Sequence, residues 1–422
     1  MWALADCNSF FCSVEKAFHP GLRGKPVCVL SSNDGNIVAL TPEAKKIGIK
    51  RGDPVFKVRD LISCHNVKLF SANMKLYAAM SRRVTNMLRK RIHHVENYSI
   101  DESFCSLDGY DQLYDMENFM RDIVENVRLC TAIPMSVGIA PSKTLAKVGS
   151  KFAKQYKGYR SVCSIDTEEK RRKALALVDL SDVWGIGRRT LKKLAYYGIH
   201  TPLAFADKSE SWVKSHFTLP MIRTWKELNG IDCIDTPEVI AKQTICTSRS
   251  FGNMVTELED LKASVAHFAS SCANKLRSQS SLCRSITVFI ATNRFREDLP
   301  QYNNMLTYTL PIATADTLEI TNTAIAILQE LYRPGIQYKK SGVILGDISS
   351  GKAISQDLFD HISNRSERHQ LMHFIDNINQ RYGTKTILLG IEGIGKQKWT
   401  AKCEQRTPNY LTDINEIMTI RI

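Results

Sequence analysis

The sequence predicts an α+β fold divided into several domains. Strand-like and helix-like segments are mixed through residue 165, residues 166–235 have helical patterns alone, and strand-like segments return from residue 242. At 422 residues the chain is also too long for one compact core. These changes of pattern therefore mark domain boundaries.

The first α+β region begins with a short apolar strand, WALA, that ends at Asp6. The segment NSFF then turns into a helix, and the strand KPVCVLSS is followed by an NDG turn. The further predicted elements are a short helix from Pro42 closed by Gly48, an amphipathic helix over 76–91, a hairpin over 95–109 whose turn lies near Asp101, a helix over 114–130 and a strand over 135–140.

The second α+β region follows the helical residues 166–235. It is predicted to contain the strands QTICTSRSF, LCRSITVFIAT and SGVILGDIS, with a helix near 258–279. From Gly351 a polar loop leads into short, broken apolar pieces, which we interpret as an appendage.

The distribution of charge indicates a polyanionic partner. Lys and Arg number 57 against 43 Asp and Glu, and the formal net charge is +14. Residues 141–200 alone hold 14 basic and 5 acidic side chains, a net charge of +9. A concentrated patch of this kind favours nucleic acid over an anionic membrane surface.

The cellular compartment is predicted from what the sequence lacks. Twelve cysteines lie scattered without zinc-ligand or CxxC spacing, so reduced thiols are expected. The first residues, MWALADCNSFF, have no basic leader and carry Asp6 within an apolar run, unlike a secretory signal peptide. No run of about 18 apolar residues is present. We expect a cytoplasmic protein without a membrane span.

Three acids stand out in this basic chain. Asp6 ends the first strand, and the adjacent Asp101 and Glu102 lie at the hairpin turn. If those strands are neighbours in one sheet, the three carboxylates converge at one edge, where they repel each other unless cations neutralise them. Oxygen ligands of this type suit Mg²⁺, and two such ions about 3.5–4 Å apart promote in-line displacement at phosphorus. A solvated turn is the alternative interpretation of the acid pair.

Three blocks of sequence carry a family resemblance. DCNSFF at 6–11, YSIDESF at 98–104 and SVGIAPSKTLAK at 136–147 resemble, in order and spacing, the signature motifs of Y-family translesion DNA polymerases. The resemblance covers the whole chain and is strongest to the UmuC-like branch, the catalytic subunits of bacterial DNA polymerase V and their plasmid-borne relatives. It implies a right-handed polymerase. The implied parts are a palm (1–22 and 76–165), fingers (23–75), a helical helix-hairpin-helix thumb (166–236), an α+β little finger (237–350) and a C-terminal partner-binding tail (351–422).

The resemblance assigns the three acids to catalysis. Asp6, Asp101 and Glu102 match the catalytic, metal-binding carboxylates, with Glu102 beside the primer terminus. The backbone carbonyl of Cys7 matches a further metal ligand, and its thiol has no metal role. Two Mg²⁺ ions are the implied cofactors.

The implied nucleotide site includes Phe10 and Phe11. Phe11 matches the steric gate, a ring that leaves no room for a ribose 2′-hydroxyl, whereas the side chain of Phe10 should point inward. Many relatives have a Tyr and an Arg that contact the triphosphate; this chain has Pro42 and Lys45 there, and lysine lacks the bidentate geometry of arginine. Lys154 matches another triphosphate ligand, with DNA-backbone binding as its alternative.

DNA contacts are expected from two basic features. Lysines recur along one face of the predicted helix after Pro141, opposite an apolar face, and the segment WGIGRRTLKKLAYYGI has the pattern of a helix-hairpin-helix. A solvated surface helix is the alternative for the first feature. The candidate DNA-binding residues are Lys143, Lys147, Lys151, Gly185, Gly187, Arg188, Lys192 and, at the start of the implied little finger, Arg249.

The last part of the chain is predicted to bind partners. SQDLF resembles the clamp-binding peptide of bacterial polymerases: Ser355 takes the usual place of the glutamine, Gln356 follows, and Leu358 and Phe359 are retained. We therefore expect weak binding to the sliding clamp, with a loop folded onto its own domain as the alternative. The tail also resembles the part of the family that recruits a UmuD′-like dimer and works with a RecA filament.

Together these features predict low-fidelity, template-directed synthesis across damaged DNA without proofreading, on primer-template DNA and deoxynucleoside triphosphates. Such translesion synthesis belongs to SOS mutagenesis. Two alternatives stay open. A two-metal nuclease would need neither a steric gate nor triphosphate lysines, and a non-catalytic DNA-damage-binding accessory protein would not need all three acids.

Overall fold

The structure is a computed structural model that describes residues 1–235, 241–351, 364–383, 386–395 and 397–418. The chain forms two compact units. The first contains the described residues of 1–31, 35–238 and 405–422, and the second contains those of 32–34 and 239–404.

The first unit contains most of the helices and strands. Its strands are β1 (Trp2–Cys7), β2 (Val27–Leu30), β3 (Ile37–Leu40), β4 (Lys68–Ser71), β5 (Val95–Asn97), β6 (Glu102–Ser106), β7 (Met135–Ala140) and β8 (Val162–Ser164). Its α-helices are α1 (Phe10–Phe18), α2 (Pro42–Lys46), α3 (Arg59–Cys64), α4 (Met74–Arg89), α5 (Met116–Thr131), α6 (Lys143–Gln155), α7 (Glu168–Leu177), α8 (Arg188–Tyr196), α9 (Pro202–Ala206), α10 (Glu210–His216) and α11 (Leu219–Leu228).

The second unit contains the later elements. These are the strands β9 (Ile245–Val255), β10 (Ser281–Thr292), β11 (Asn303–Thr314) and β12 (Tyr338–Ser350) and the helices α12 (Leu258–Ser278), α13 (Thr317–Leu331) and α14 (Arg365–Tyr382). The mixture of helices and sheets confirms the predicted α+β class. The predicted long helices correspond to α4, α5 and α12. The elements β3, α3, β4, β8, β11, α13 and α14 were not predicted. No described helix is both long and apolar enough to cross a membrane.

The five-stranded sheet of the first unit has the order β5-β6-β1-β7-β8. β1 lies at its centre and pairs antiparallel with β6 and β7, which places Asp6 opposite Glu102. Successive β1 residues enter different cores, as the two-residue period of a strand requires. Ala3 and Ala5 are buried with helices α1, α4 and α5, whereas Leu4 is buried with α6. The sheet is therefore covered on both faces.

A smaller sheet and a group of helices complete the first unit. The smaller sheet has the order β3-β2-β4, with β2 antiparallel to β3 and parallel to β4. Residues 166–235 contain helices and no strand, as predicted. The predicted helix-hairpin-helix differs in one respect: the element before its glycines is a single 3-10 turn, Leu180–Asp182, and not an α-helix. Asp179 caps this turn by accepting a hydrogen bond from the amide of Ser181 at 2.8 Å.

The second unit is built on an antiparallel sheet of order β11-β10-β12-β9, which shares one core with α12 and α13. Trp399, from the predicted tail, is buried in this core. Helix α14 is tied to the unit by an ion pair of 2.7 Å between Arg277 and Asp376. Trp399 and α14 are therefore packed within the second unit and do not form a separate appendage. The boundaries of palm, fingers, thumb, little finger and tail stay predictions.

Strand β7 and helix α6 approach each other closely at Gly138. A Cβ atom at this position would lie 2.0 Å from the carbonyl oxygen of Ala146 and 2.1 Å from the amide nitrogen of Ser150. Both are backbone atoms of α6, so no flexible side chain could move aside to make room for an added methyl group. Because α6 carries Lys147 and Lys154, this glycine sets how closely two predicted site residues approach the sheet.

We therefore expect Gly138→Ala to lower the free energy of unfolding by about 2 kcal/mol or more, because the added methyl overlaps backbone. Gly158→Ala is the control, since Gly158 has open space around it and an ordinary backbone conformation. Thermal and denaturant unfolding of both variants check the prediction. Equal stability of the two variants would contradict the close approach.

Candidate active site

The acids predicted as catalytic lie together at one end of the central sheet. Asp6 and Glu102 are direct partners across β1 and β6. The amide of Cys7 donates a hydrogen bond to the backbone carbonyl of Asp101 at 2.9 Å, which places Asp101 beside the end of β1. The prediction that the two strands are neighbours is confirmed, and it brings the acids to one edge.

A hydrogen-bonded turn holds the acid pair. The hydroxyl of Ser99 donates to Asp101 Oδ1 at 2.7 Å. The same hydroxyl accepts from the amides of Asp101 at 3.3 Å and Glu102 at 3.1 Å. These bonds fix the turn and the side chain of Asp101. The sequence analysis did not select Ser99, which makes them.

Two lysines of α6 offset part of the negative charge of the three acids. Lys154 Nζ donates to both carboxylate oxygens of Asp6, at 3.2 and 3.3 Å. Lys147 Nζ donates to both oxygens of Glu102, at 3.1 and 3.2 Å. Each ammonium group therefore donates to both oxygens of one carboxylate. Helix α6 thus supplies the positive charges that face the acids of β1 and β6.

The donor set fits a hard divalent cation. Burial raises the pKa of Asp6, Lys154 opposes this shift, and Glu102 and Asp101 add to it. The edge thus has surplus negative charge, which a cation relieves, and carboxylate oxygens are the ligands that Mg²⁺ prefers. In the conformation described, no group of three or more His, Cys, Asp and Glu side chains within the described ranges is arranged to hold a metal ion.

Cys7 is the last residue of β1 and directly follows Asp6. Its side chain is buried, and burial raises the pKa of the Cys7 thiol well above its usual range, with Asp6 and Asp101 adding to the shift. The buried thiol is therefore a weak nucleophile near neutral pH. The role of the Cys7 carbonyl as a metal ligand stays a prediction.

The two phenylalanines of α1 have different surroundings. Phe10 is 2% exposed and belongs to the core, so the expectation that its side chain points inward is confirmed, and its contact with a nucleotide stays a prediction. Phe11 is half-buried and stacks on Tyr77, with ring centroids 4.5 Å apart and an interplanar angle of 17°. The hydroxyl of Tyr77 donates to Glu15 Oε1 at 2.6 Å.

Sequence reasoning missed Tyr77 and Glu15. A weak signal was available for Glu15, because it is an acid four residues after Phe11 in a largely apolar helical segment, FFCSVEKAF. Tyr77 lies in α4 and carries no local signal that separates it from other core aromatics.

Lys45 lies exposed in the last turn of the short helix α2. The helix begins at Pro42, and Thr41 caps it by accepting a hydrogen bond from the amide of Ala44. Proline is favoured at this first helical position because its missing N–H has no helical partner to lose. The unusual Pro42 is therefore compatible with the local structure, and contact of Lys45 with a triphosphate stays a prediction.

The lysines of α6 do not form one DNA-facing stripe. Lys143 is 2% exposed, donates to Glu96 Oε2 at 2.8 Å and lies 4.2 Å from the ring of Trp2. It has no surface for a phosphate, so its assignment to DNA binding is wrong: helical spacing defined a face but not what that face contacts. Lys147 is also largely covered, whereas Lys151 is exposed and paired with Asp182.

The other candidate DNA-binding residues are exposed. Gly185 adopts a positive φ of 91°, and Gly187 is the N-cap of α8, where it has no side chain to bond to the first amides of the helix. Arg188 and Lys192 follow on α8, and Arg249 lies on β9 in the second unit. Their positions are compatible with phosphate contacts, which stay predictions. The predicted clamp-binding residues Ser355, Gln356, Leu358 and Phe359 lie outside the described residues.

Comparisons with known proteins agree with this geometry. The profile of the impB/mucB/samB family matches residues 5–151, its C-terminal domain matches 242–358, and a domain of unknown function matches 369–420. The chain is 38% identical to the protein UmuC of Salmonella typhimurium over 100% of both chains, and 40% identical to MucB of Escherichia coli over 99% of both.

The fold is similar to that of a solved structure, a chimera of the Y-family DNA polymerases Dbh and Dpo4. The two share a TM-score of 0.63 at 20% identity, over 83% of this chain and 99% of the chimera. Neither the nuclease nor the accessory-protein alternative is favoured by these similarities. The chain belongs to the impB/mucB/samB family and is a UmuC-like Y-family DNA polymerase of translesion synthesis.

Proposed function

We propose that the protein extends primers on damaged templates by metal-assisted attack of the primer 3′-hydroxyl on the α-phosphorus of a deoxynucleoside triphosphate, releasing pyrophosphate. The observation that carries the proposal is the register of β1 and β6, which sets Asp6 opposite Glu102 with Asp101 at the adjoining turn. Primer-template DNA and deoxynucleotides are the proposed substrates, and the cytoplasm is the expected compartment.

A divalent metal is the cofactor that this family implies. We propose two Mg²⁺ ions, held by Asp6 and Asp101, with Glu102 nearest the primer terminus and the Cys7 carbonyl as a further ligand. When bound, such ions acidify the attacking hydroxyl and neutralise the charge of the triphosphate. The pairs Lys154–Asp6 and Lys147–Glu102 support this role, because each lysine already lies beside a carboxylate and can transfer its hydrogen bonds to phosphate oxygens.

Phe11 is proposed as the steric gate. Its ring is neither free nor fully buried, and it is supported from behind by the stacked ring of Tyr77. A ring held in this way resists displacement by a bulkier sugar. The ring of Phe10, in the core, anchors the same helix.

The remaining partners are proposals from the family resemblance. DNA phosphates would be bound by the exposed basic residues, among them Arg188, Lys192 and Arg249. A UmuD′-like dimer, a RecA filament and the sliding clamp are the proposed protein partners. They would act through surfaces of the tail that its packing leaves exposed, such as Phe374 and Tyr382 on α14.

We expect Asp101→Asn to reduce nucleotide addition by at least about 100-fold, because the amide keeps the size of the side chain but loses the charge that holds a divalent cation. Binding to primer-template DNA should be nearly unchanged. Primer extension and fluorescence anisotropy measure the two properties. The control is Asp108→Asn, which removes an exposed acid paired with the chain's N-terminus. Extension by Asp101→Asn within tenfold of the wild type would refute the assignment.

The proposal for DNA binding predicts different effects for substitutions at Lys192 and at Lys143. Lys192→Gln should weaken DNA binding and make the plot of log affinity against log salt less steep by about 0.9, the value for one lost phosphate contact. Lys143→Met should leave that slope unchanged but lower the free energy of unfolding by roughly 3 kcal/mol, because a buried ion pair loses one partner. If Lys143→Met instead changes the salt slope as Lys192→Gln does, the buried assignment of Lys143 is wrong.

A further inference from the structure

Within the first unit, residues after 404 pack on α1 and α4, the two helices that carry Phe11 and Tyr77. We define the docked segment as residues 405–418. It begins beside β4, where the amide of Gln405 donates to Ser71 Oγ at 2.9 Å and the amide of Ser71 donates to the carbonyl of Gln405 at 3.1 Å. Tyr410 stacks on Phe18 of α1, with ring centroids 4.9 Å apart.

Asn73 joins the docked segment to the start of α4. Its side-chain nitrogen donates to the carbonyls of Thr407 at 2.8 Å and Pro408 at 3.3 Å. Its side-chain oxygen accepts from the amide of Leu76 at 3.3 Å and so caps α4, the helix of Tyr77. One buried amide therefore binds the segment and fixes the helix start at the same time.

A second link runs from the docked segment to the stacked rings. The hydroxyl of Thr407 donates to Glu15 Oε1 at 3.2 Å, and the hydroxyl of Tyr77 donates to the same oxygen at 2.6 Å. Glu15 and Tyr77 are fully buried, and Thr407 is nearly so. The ring of Tyr77 then supports Phe11. A chain of contacts thus leads from the docked segment to the proposed gate.

Glu15, in the middle of this series of contacts, has few hydrogen-bond partners among the described residues. Among the described residues, Glu15 Oε2 is buried without a hydrogen bond, so Tyr77 and Thr407 supply the side-chain bonds that this carboxyl receives. Burial raises the pKa of Glu15, while these two hydroxyls oppose the shift. Burial also raises the pKa of Tyr77, with Glu15 adding to the shift, so its hydroxyl remains a donor. Loss of one partner leaves a buried polar group under-satisfied, and the remaining bond must rearrange.

We propose that the docked segment is a specificity element: Thr407, through Glu15 and Tyr77, holds the Phe11 ring in the position that discriminates deoxyribonucleotides from ribonucleotides. The inference rests on the proposed role of Phe11 as steric gate. Thr407 is a positioning residue and does not itself contact the nucleotide. The inference also gives a role to part of the region that matches a domain of unknown function.

The test compares Thr407→Val, which removes the hydroxyl at nearly constant size, with Thr407→Ser, which retains it. Thr412→Val is the matched control, because Thr412 is exposed in the same segment. For each full-length variant, kcat and KM are measured for a deoxynucleotide and the corresponding ribonucleotide. We expect Thr407→Val to raise the ribonucleotide kcat/KM relative to that of the deoxynucleotide by about threefold to tenfold. Thr407→Ser and Thr412→Val should keep the wild-type ratio.

Two further variants separate the possible failures. Tyr77→Phe removes the hydroxyl at the other side of Glu15 and should shift the ratio in the same direction as Thr407→Val. Phe11→Ala tests the gate itself and should shift the ratio further. If Phe11→Ala shifts the ratio but Thr407→Val only lowers the melting temperature, the role of the docked segment is refuted and the gate stands. If Phe11→Ala leaves the ratio unchanged, the gate is refuted and the inference falls with it.

Discussion

The pairing of β1 with β6 is the constraint on which the rest of the site depends. In this register Asp6 lies opposite Glu102, and Leu4 lies opposite Phe104, both buried on the face that α6 covers. A slip of one residue would move every side chain of β1 to the other face of the sheet. Because Ala3 and Ala5 fill a core on one face and Leu4 fills the other, the slip would bury the wrong residues. Packing of the two cores therefore fixes the geometry of the acids.

Helix α6 provides the electrostatic complement of that geometry. It can bring Lys147 and Lys154 to the acids because Gly138 lets its backbone approach the sheet. Its start is also fixed by a residue distant in sequence: Glu227 of α11 is fully buried, and its carboxylate accepts from the amide of Thr144 at 2.8 Å. The acids, which repel one another, and the lysines that partly offset their charge are thus held by separate elements.

Sequence reasoning recovered the parts of this arrangement that depend on local pattern. The acids were brought to one sheet edge correctly, because a strand end and a hairpin turn have local signatures. Phe11 was selected through the family resemblance, and its role stays a prediction. It failed for Lys143, since helical periodicity groups residues on one face without revealing that the face meets Glu96 and Trp2. It also missed the docked segment, because the bond between Thr407 and Glu15 spans 392 positions and leaves no local signature. Contacts of this range are decided by packing, and a single sequence does not encode them in any short pattern.

The central claim is that the acid edge of the sheet performs nucleotide addition, and the most direct measurement is the fate of a labelled primer. The purified wild-type protein is incubated with primer-template DNA, deoxynucleotides and Mg²⁺, and the products are resolved on a denaturing gel. The account predicts that the primer lengthens one nucleotide at a time with Mg²⁺ and stays unchanged with a chelator. A primer that is shortened under these conditions, or that stays unchanged with Mg²⁺, would contradict the account.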